Sequence, residues 1–209
     1  MLAVNTYDEF LRLVEVIADS YSAKREPYSM DQPGVVVLVG PSGSGKTDIA
    51  KGLLQADDRF EKLVSYTTNR SHKTEDDWYE YVPVSKFRTM CESGEIFEST
   101  TYAHHSYGSR RADVDEILSR GKHVLTIMDI CGAMTLKTCY PNVATVYVKK
   151  EKKDLLRSIL EKKAPVEEKV NRLIAIESEK KNEEICDYVV KFEEYDDAVN
   201  QICQILGIE

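Results

Sequence analysis

The sequence predicts an α/β fold with a mainly parallel sheet, and three observations predict it. Val35 to Val39 is an unbroken aliphatic run, the composition of a strand buried on both faces of a parallel sheet. Apolar runs of strand length then alternate with stretches of helical periodicity to the C-terminus, which is the pattern of βα units. A glycine-rich turn, Gly40 to Gly45, stands between the first run and the first helical stretch. Open α/β sheets bind their ligands beyond the carboxyl ends of their strands, where such turns lie.

The elements follow in order. Residues 1–33 read as an amphipathic helix and a linker. Thr6 and Glu9 fit a capping box. Phe10, Leu13, Val14, Ile17 and Tyr21 form one apolar stripe. That stripe needs cover, from the main domain or from a second copy, so self-association through this helix is an expectation. Lys24 to Pro33 is the linker. After the Val35 to Val39 strand comes a helix from Lys46 to Leu54, then strands at Leu63 to Thr67 and Tyr79 to Val84. Ser85 to Ser93 reads as a helix stopped by Gly94, because glycine takes the left-handed conformation that ends a helix. Ile96 to Tyr102 is a strand, Asp113 to Ser119 a helix stopped by Gly121, and His123 to Ile127 and Ala144 to Val148 further strands. Helices at Lys152 to Leu160 and from Pro165 onward, a strand at Tyr188 to Val190 and a helix at Tyr195 to Leu206 complete the chain. There is no internal repeat.

The 209 residues are enough for a substantial core without metal or disulfide staples. Lys and Arg total 28 against 36 Asp and Glu, a net charge of −8, which argues against a general nucleic-acid binder. Acidic residues interrupt the first twenty positions, against a signal peptide, and no apolar run reaches membrane-spanning length. The five cysteines are odd in number and form no Cys-x-x-Cys pair. Reduced, mostly buried thiols in a cytoplasmic protein are expected. His104, His105 and His123 show no metal spacing.

The chemistry begins at Gly40-Pro41-Ser42-Gly43-Ser44-Gly45-Lys46-Thr47, which fits the phosphate-loop pattern between a buried strand and a helix. Its glycines let successive backbone N–H groups face one anion, and the helix N-terminus adds its positive dipole end. Lys46 is placed for the β- and γ-phosphates and the Thr47 hydroxyl for Mg²⁺. A nucleoside triphosphate is the expected ligand. Asp129, after the strand His123 to Ile127, is the candidate carboxylate on the magnesium side. No guanine signature of the GTPases appears, so the loop alone leaves ATPase and kinase open.

Further segments resemble the guanylate kinase family. Ser65-Tyr66-Thr67-Thr68 is similar to its Ser-x-Thr-Thr strand end, and Tyr79-Glu80-Tyr81-Val82 to its D-Y-x-F-V element. Gly94-Glu95-Ile96-Phe97-Glu98, Tyr107-Gly108-Ser109 and Asp129-Ile130-Cys131-Gly132 resemble three more of its segments, all in family order. The resemblance implies a P-loop kinase core over residues 34–209, with a small β-rich acceptor-binding part at about 63–107 and a helical lid at about 150–165. It implies transfer of phosphate from ATP to GMP with Mg²⁺. It assigns guanine recognition to Glu98, with Ser65 and Ser109 completing the base contacts. An ionised carboxylate suits guanine because it accepts from two adjacent N–H donors at once. Tyr79 and Tyr107 are assigned to the acceptor phosphate, and Arg172 and Arg157, with Lys162 and Lys163, to the migrating phosphoryl group.

The chain also departs from the family. Asn69 and His72 stand where arginines grip the acceptor phosphate, and Arg70 and Lys73 are each displaced by one. The loop before Tyr79 is about two residues short. Arg70 is expected to turn inward beside Tyr79 and Tyr107. Ile127 stands where an acid is usual, and Phe192 where an Asn near the donor adenine is usual. A weakened relative serving as an interaction module, and a kinase of another nucleotide, stay open as alternatives.

Overall fold

The computed structural model describes residues 26–70, 78–102 and 105–208. The N-terminal capping box and stripe, with His72, Lys73 and His104, lie outside the described residues.

Five parallel strands form the main sheet: β1 (Val35–Val39), β2 (Phe60–Lys62), β7 (His123–Ile127), β8 (Val143–Lys149) and β9 (Tyr188–Lys191), in the order β2-β7-β1-β8-β9. Every residue of β1 is buried, as a central strand covered on both faces requires. On one face Val36, Leu38 and Val146 pack under α1 (Lys46–Ala56) and α7 (Tyr195–Leu206). On the other, Val35, Val37 and Tyr147 pack under α3 (Arg111–Ser119) and α4 (Ile130–Cys139). The second sheet holds β3 (Ser65–Thr67), β4 (Tyr79–Tyr81), β5 (Ile96–Tyr102) and β6 (His105–Arg110), ordered β4-β3-β6-β5. It carries α2 (Val84–Glu92) through Tyr66, Val82, Phe87 and Met90. Two further helices, α5 (Lys152–Glu161) and α6 (Val166–Lys180), pack on each other over Leu155, Ile159 and Ile176.

Three sequence expectations change. The strand expected at Leu63 to Thr67 shrinks to β3 from Ser65, in the second sheet, and an unexpected strand, β2, precedes it in the main sheet beside β7, after which Leu63 N–H still donates to Leu125 O at 2.9 Å. The chain therefore crosses between sheets at Val64, which places Ser65 at the junction. Helix α4 and strand β6 were not expected at all. The cysteines are free, but Cys131 is exposed and the other four are half-buried, so none is fully buried.

At the amino ends of the strands, Asn142 holds the entering segment, accepting from Ser29 N–H at 3.0 Å and donating to Ser29 O at 2.8 Å. Tyr28 Oη meets His123 Nδ1 at 2.7 Å beside it. The carboxyl ends of the strands carry the site.

Candidate active site

The phosphate loop leaves the central strand β1, so whatever it holds lies between the ends of β7 and those of β8 and β9. The loop is shaped by glycines that other residues cannot replace. A Cβ on Gly40 would lie 2.7 Å from Val148 O, and Gly45 caps α1 at φ 93°, in the left-handed region. The Lys46 ammonium lies across the loop, donating to Gly40 O at 2.5 Å and Pro41 O at 2.8 Å. Burial pushes its pKa below the ordinary lysine value, and the nearby charges of Lys162 and Arg172 add to this while Glu179 opposes it. Arg172 donates to Ser42 Oγ and pairs with Glu168 at 2.6 Å.

One cavity of about 570 Å³ runs from this loop into the second sheet, bordered by Lys46, Thr47 and Arg172 at one end and by Ser65, Tyr79 and Glu98 at the other. Asp129, Tyr107, Ser42 and the loop glycines also border it. Glu98 comes from β5, where a register shift between Ile96 and Glu98 interrupts pairing with β6. Burial pushes the Glu98 carboxyl up to about 7, and the Asp129 charge adds to this while the Ser109 hydroxyl, hydrogen-bonded to it, opposes. Ser109, itself fully buried, lies with its Oγ 3.4 Å from Ser65 Oγ. A Cβ on Gly132 would come within 2.9 Å of Glu98 Oε2, so the glycine makes room for the carboxylate beneath α4. Asp129 caps that helix, its Oδ1 accepting from Gly132 N–H at 2.9 Å. Tyr79 and Tyr107 meet edge-to-face with centroids 5.6 Å apart.

Three expected residues are elsewhere, Arg70, Arg157 and Lys163, the last exposed and off the cavity. Arg70 is exposed, does not border the cavity, and donates from Nε to Tyr81 Oη at 3.1 Å. The inward turn expected of it is not what the structure shows. The reason is local: Asn69 N–H donates to Thr67 Oγ1 at 3.1 Å, which fixes Asn69 inward, and the next residue faces out. The buried Asn69 donates from Nδ2 to Tyr107 Oη at 3.2 Å instead. Arg157 is also exposed, 3.8 Å from Asp154 and away from the cavity. Of the remaining loop residues, Pro41 and Ser44 are buried within the turn and support it.

Sequence reasoning missed Glu179 and Lys150, which border the cavity. Glu179 accepts from the Ser42 backbone, and its carboxyl is raised chiefly by burial against the lowering charge of Lys46. Its signal was periodicity, since it follows Arg172 by two helical turns and shares its face. Lys150 had no signal beyond closing a strand.

The comparisons agree with this geometry. A family model described as guanylate kinase matches residues 32–209. The guanylate kinase of Nitrosomonas europaea is 32% identical over 177 residues, covering 83% of this chain and 88% of that protein. That of Thermotoga maritima is 32% identical over 179 residues, covering 83% and 86%. A crystal structure of guanylate kinase from Anaplasma phagocytophilum superposes with a TM-score of 0.68 at 25% identity, covering 87% of each chain. With a phosphate loop and a half-buried carboxylate sharing one cavity, and a family match that spans both sheets, this chain belongs to the guanylate kinase family.

Proposed function

We propose that the protein transfers the γ-phosphoryl group of ATP to GMP, giving ADP and GDP. The observation that carries this is the single cavity bordered by Lys46 at one end and Glu98 at the other. Glu98, ionised, accepts from guanine N1–H and N2–H, with the Ser65 and Ser109 hydroxyls beside it. Adenine offers no such donor pair and leaves the half-buried carboxylate unpaired, which site-built polar recognition rejects strongly. Tyr79 and Tyr107 donate to the acceptor phosphate, and Asn69 orients Tyr107.

Transfer of this kind depends on positioning and charge stabilisation. Lys46 leaves its loop carbonyls for the donor's β- and γ-oxygens, and Arg172 reaches the migrating group from α6. Residues 150–165 act as the lid, with Lys162 bordering the cavity and Arg157 outside it. Mg²⁺ bound to a nucleotide takes few protein ligands, and Thr47, which borders the cavity, would supply one through its hydroxyl. When bound, the ion neutralises charge between the β- and γ-phosphates. Asp129, committed as a helix cap, belongs with the base-reading group beside Glu98. A coupled assay for ADP release with GMP, dGMP, AMP and UMP, and with no acceptor, tests the reading. Turnover with GMP and dGMP alone supports it; ADP release that ignores the acceptor would make the protein an ATPase.

A further inference from the structure

Helices α5 and α6 meet the phosphate loop at Ser42 and Gly43. A Cβ on Gly43 would lie 3.0 Å from Ser158 Cβ and 3.7 Å from Ile159 Cγ1, so α5 rests directly on the loop there. Lys150, just before α5, faces Gly43 O with its Nζ at 3.4 Å. From α6 the contact is polar and falls on one residue. Arg172 donates to Ser42 Oγ, and Glu179, two helical turns later on the same face, accepts from the Ser42 backbone N–H. The neighbouring carbonyls, Gly40 O and Pro41 O, take the Lys46 ammonium.

This loop has particular need of outside support. Gly40, Gly43 and Gly45 all have positive φ, which shapes the turn but brings the conformational freedom of glycine with it. Donors aimed in advance at a developing charge need no reorganisation during the reaction, and that is their catalytic value. We propose that Glu179 is a positioning residue for phosphoryl transfer: by holding the Ser42 N–H it fixes the phosphate loop against α6. This rests on the proposed kinase function. Glu179 acts through Ser42 and serves as a hydrogen-bond acceptor, since one N–H needs one oxygen. Its half-buried carboxylate makes that bond charge-assisted and stronger than a neutral one. The consequence is that the loop travels with the α5–α6 pair, so the geometry of the donor phosphates is set from the lid.

The test is steady-state kinetics of Glu179→Ala and Glu179→Gln beside the unmodified protein. A carboxamide oxygen still accepts from the Ser42 N–H, so Glu179→Gln should keep kcat and the KM for ATP within about threefold. Glu179→Ala should lower kcat at least about thirtyfold and raise the KM for ATP about tenfold, because a misplaced donor phosphate is felt in the transition state. The KM for GMP should not change. Glu179→Met removes the acceptor at nearly constant length and answers the same question if Glu179→Ala does not fold. Unchanged kinetics without the acceptor would overturn the proposal. So would equal losses in Glu179→Gln, which would make the charge decisive, or a KM for GMP that rises with that for ATP, which would make the role structural. If the unmodified protein does not phosphorylate GMP, the kinase reading fails separately. Calorimetric binding of ATP and inorganic tripolyphosphate then decides the role of Glu179. Both about tenfold weaker without the acceptor, and unchanged in Glu179→Gln, supports it; equal binding in all the proteins, or equal weakening in all the variants, overturns it.

Discussion

At the scale of single residues, the site depends on charges that the fold has taken partly out of water. Lys46 is held by loop carbonyls rather than by core packing, so Lys46→Ala should fold normally while losing at least about a hundredfold in kcat, ~2.7 kcal/mol of transition-state stabilisation. Steady-state kinetics beside an unchanged circular dichroism spectrum checks this. Glu98 gives a pH signature. Its carboxyl sits at about 7 in the folded protein, against roughly 4.3 in an unfolded chain. Below about 7 it carries a proton and loses an acceptor for guanine, so kcat/KM for GMP should climb as pH rises through about 7. The substrate phosphate ionises near 6, and Glu98→Gln should remove the Glu98 limb while leaving that one. Stability runs the other way. Between about 4.3 and 7 the folded state binds the extra proton, so the favourable contribution present at low pH is lost as pH rises. At pH 8 Glu98→Gln should therefore be more stable than the unmodified protein, by roughly 1–3 kcal/mol, in a urea titration. Arg70, facing solvent and Tyr81, should tolerate Arg70→Ala with less than about a tenfold loss in kcat/KM for GMP, ~1.4 kcal/mol. A loss of two orders would show that it swings inward with substrate.

At the scale of elements, what was legible was what carried periodicity or punctuation. The β1 strand, the glycine-rich loop and α7 announced themselves through an all-aliphatic run, a spaced glycine pattern and a clean apolar stripe. Helix α4 did not, because Ile130, Ala133, Met134, Leu136 and even Lys137 are buried. A helix covered on most sides shows no polar face. Its start was nevertheless written in Asp129, a good capping residue read only as a ligand. Strand β6, His-Ser-Tyr-Gly-Ser-Arg, has little intrinsic strand character and exists because β3 and β5 pair with it on both sides. The inward Asn69 and outward Arg70 were illegible because the hydrogen bonds that hold them, Asn69 to Thr67 and Tyr107 and Arg70 to Tyr81, join side chains brought together by the second sheet. Lys137 ties α4 to Asp187 at the start of β9, and Asp187 also accepts from Thr145 N–H at 2.8 Å. Lys137→Ala removes one partner of a largely buried pair, so the urea midpoint should fall by the equivalent of ~2–3 kcal/mol with an unchanged slope. A change below about 0.5 kcal/mol would mean that solvent screens the pair.

At the scale of the molecule, two sheets meet at one cavity, and the crossing at Val64 is what joins them. The main sheet brings the phosphate loop and Lys46. The second brings Ser65, Tyr79, Tyr107 and Glu98, and α6 supplies Arg172, which reaches the loop at Ser42. An acidic protein with a net charge of −8 thus gathers Lys46, Lys162 and Arg172 around a site for anionic nucleotides, which concentrates attraction where phosphates bind. The central claim is that Glu98 and the phosphate loop serve one reaction on one guanine nucleotide. Its most direct measurement is the ratio of kcat/KM for GMP to that for AMP, in the unmodified protein and in Glu98→Gln, with ATP as donor at pH 8. The account predicts a ratio of at least about a thousand that falls about a hundredfold in the variant, ~2.7 kcal/mol, while the KM for ATP stays constant. Equal use of GMP and AMP by the unmodified protein, or a ratio untouched by Glu98→Gln, would contradict it.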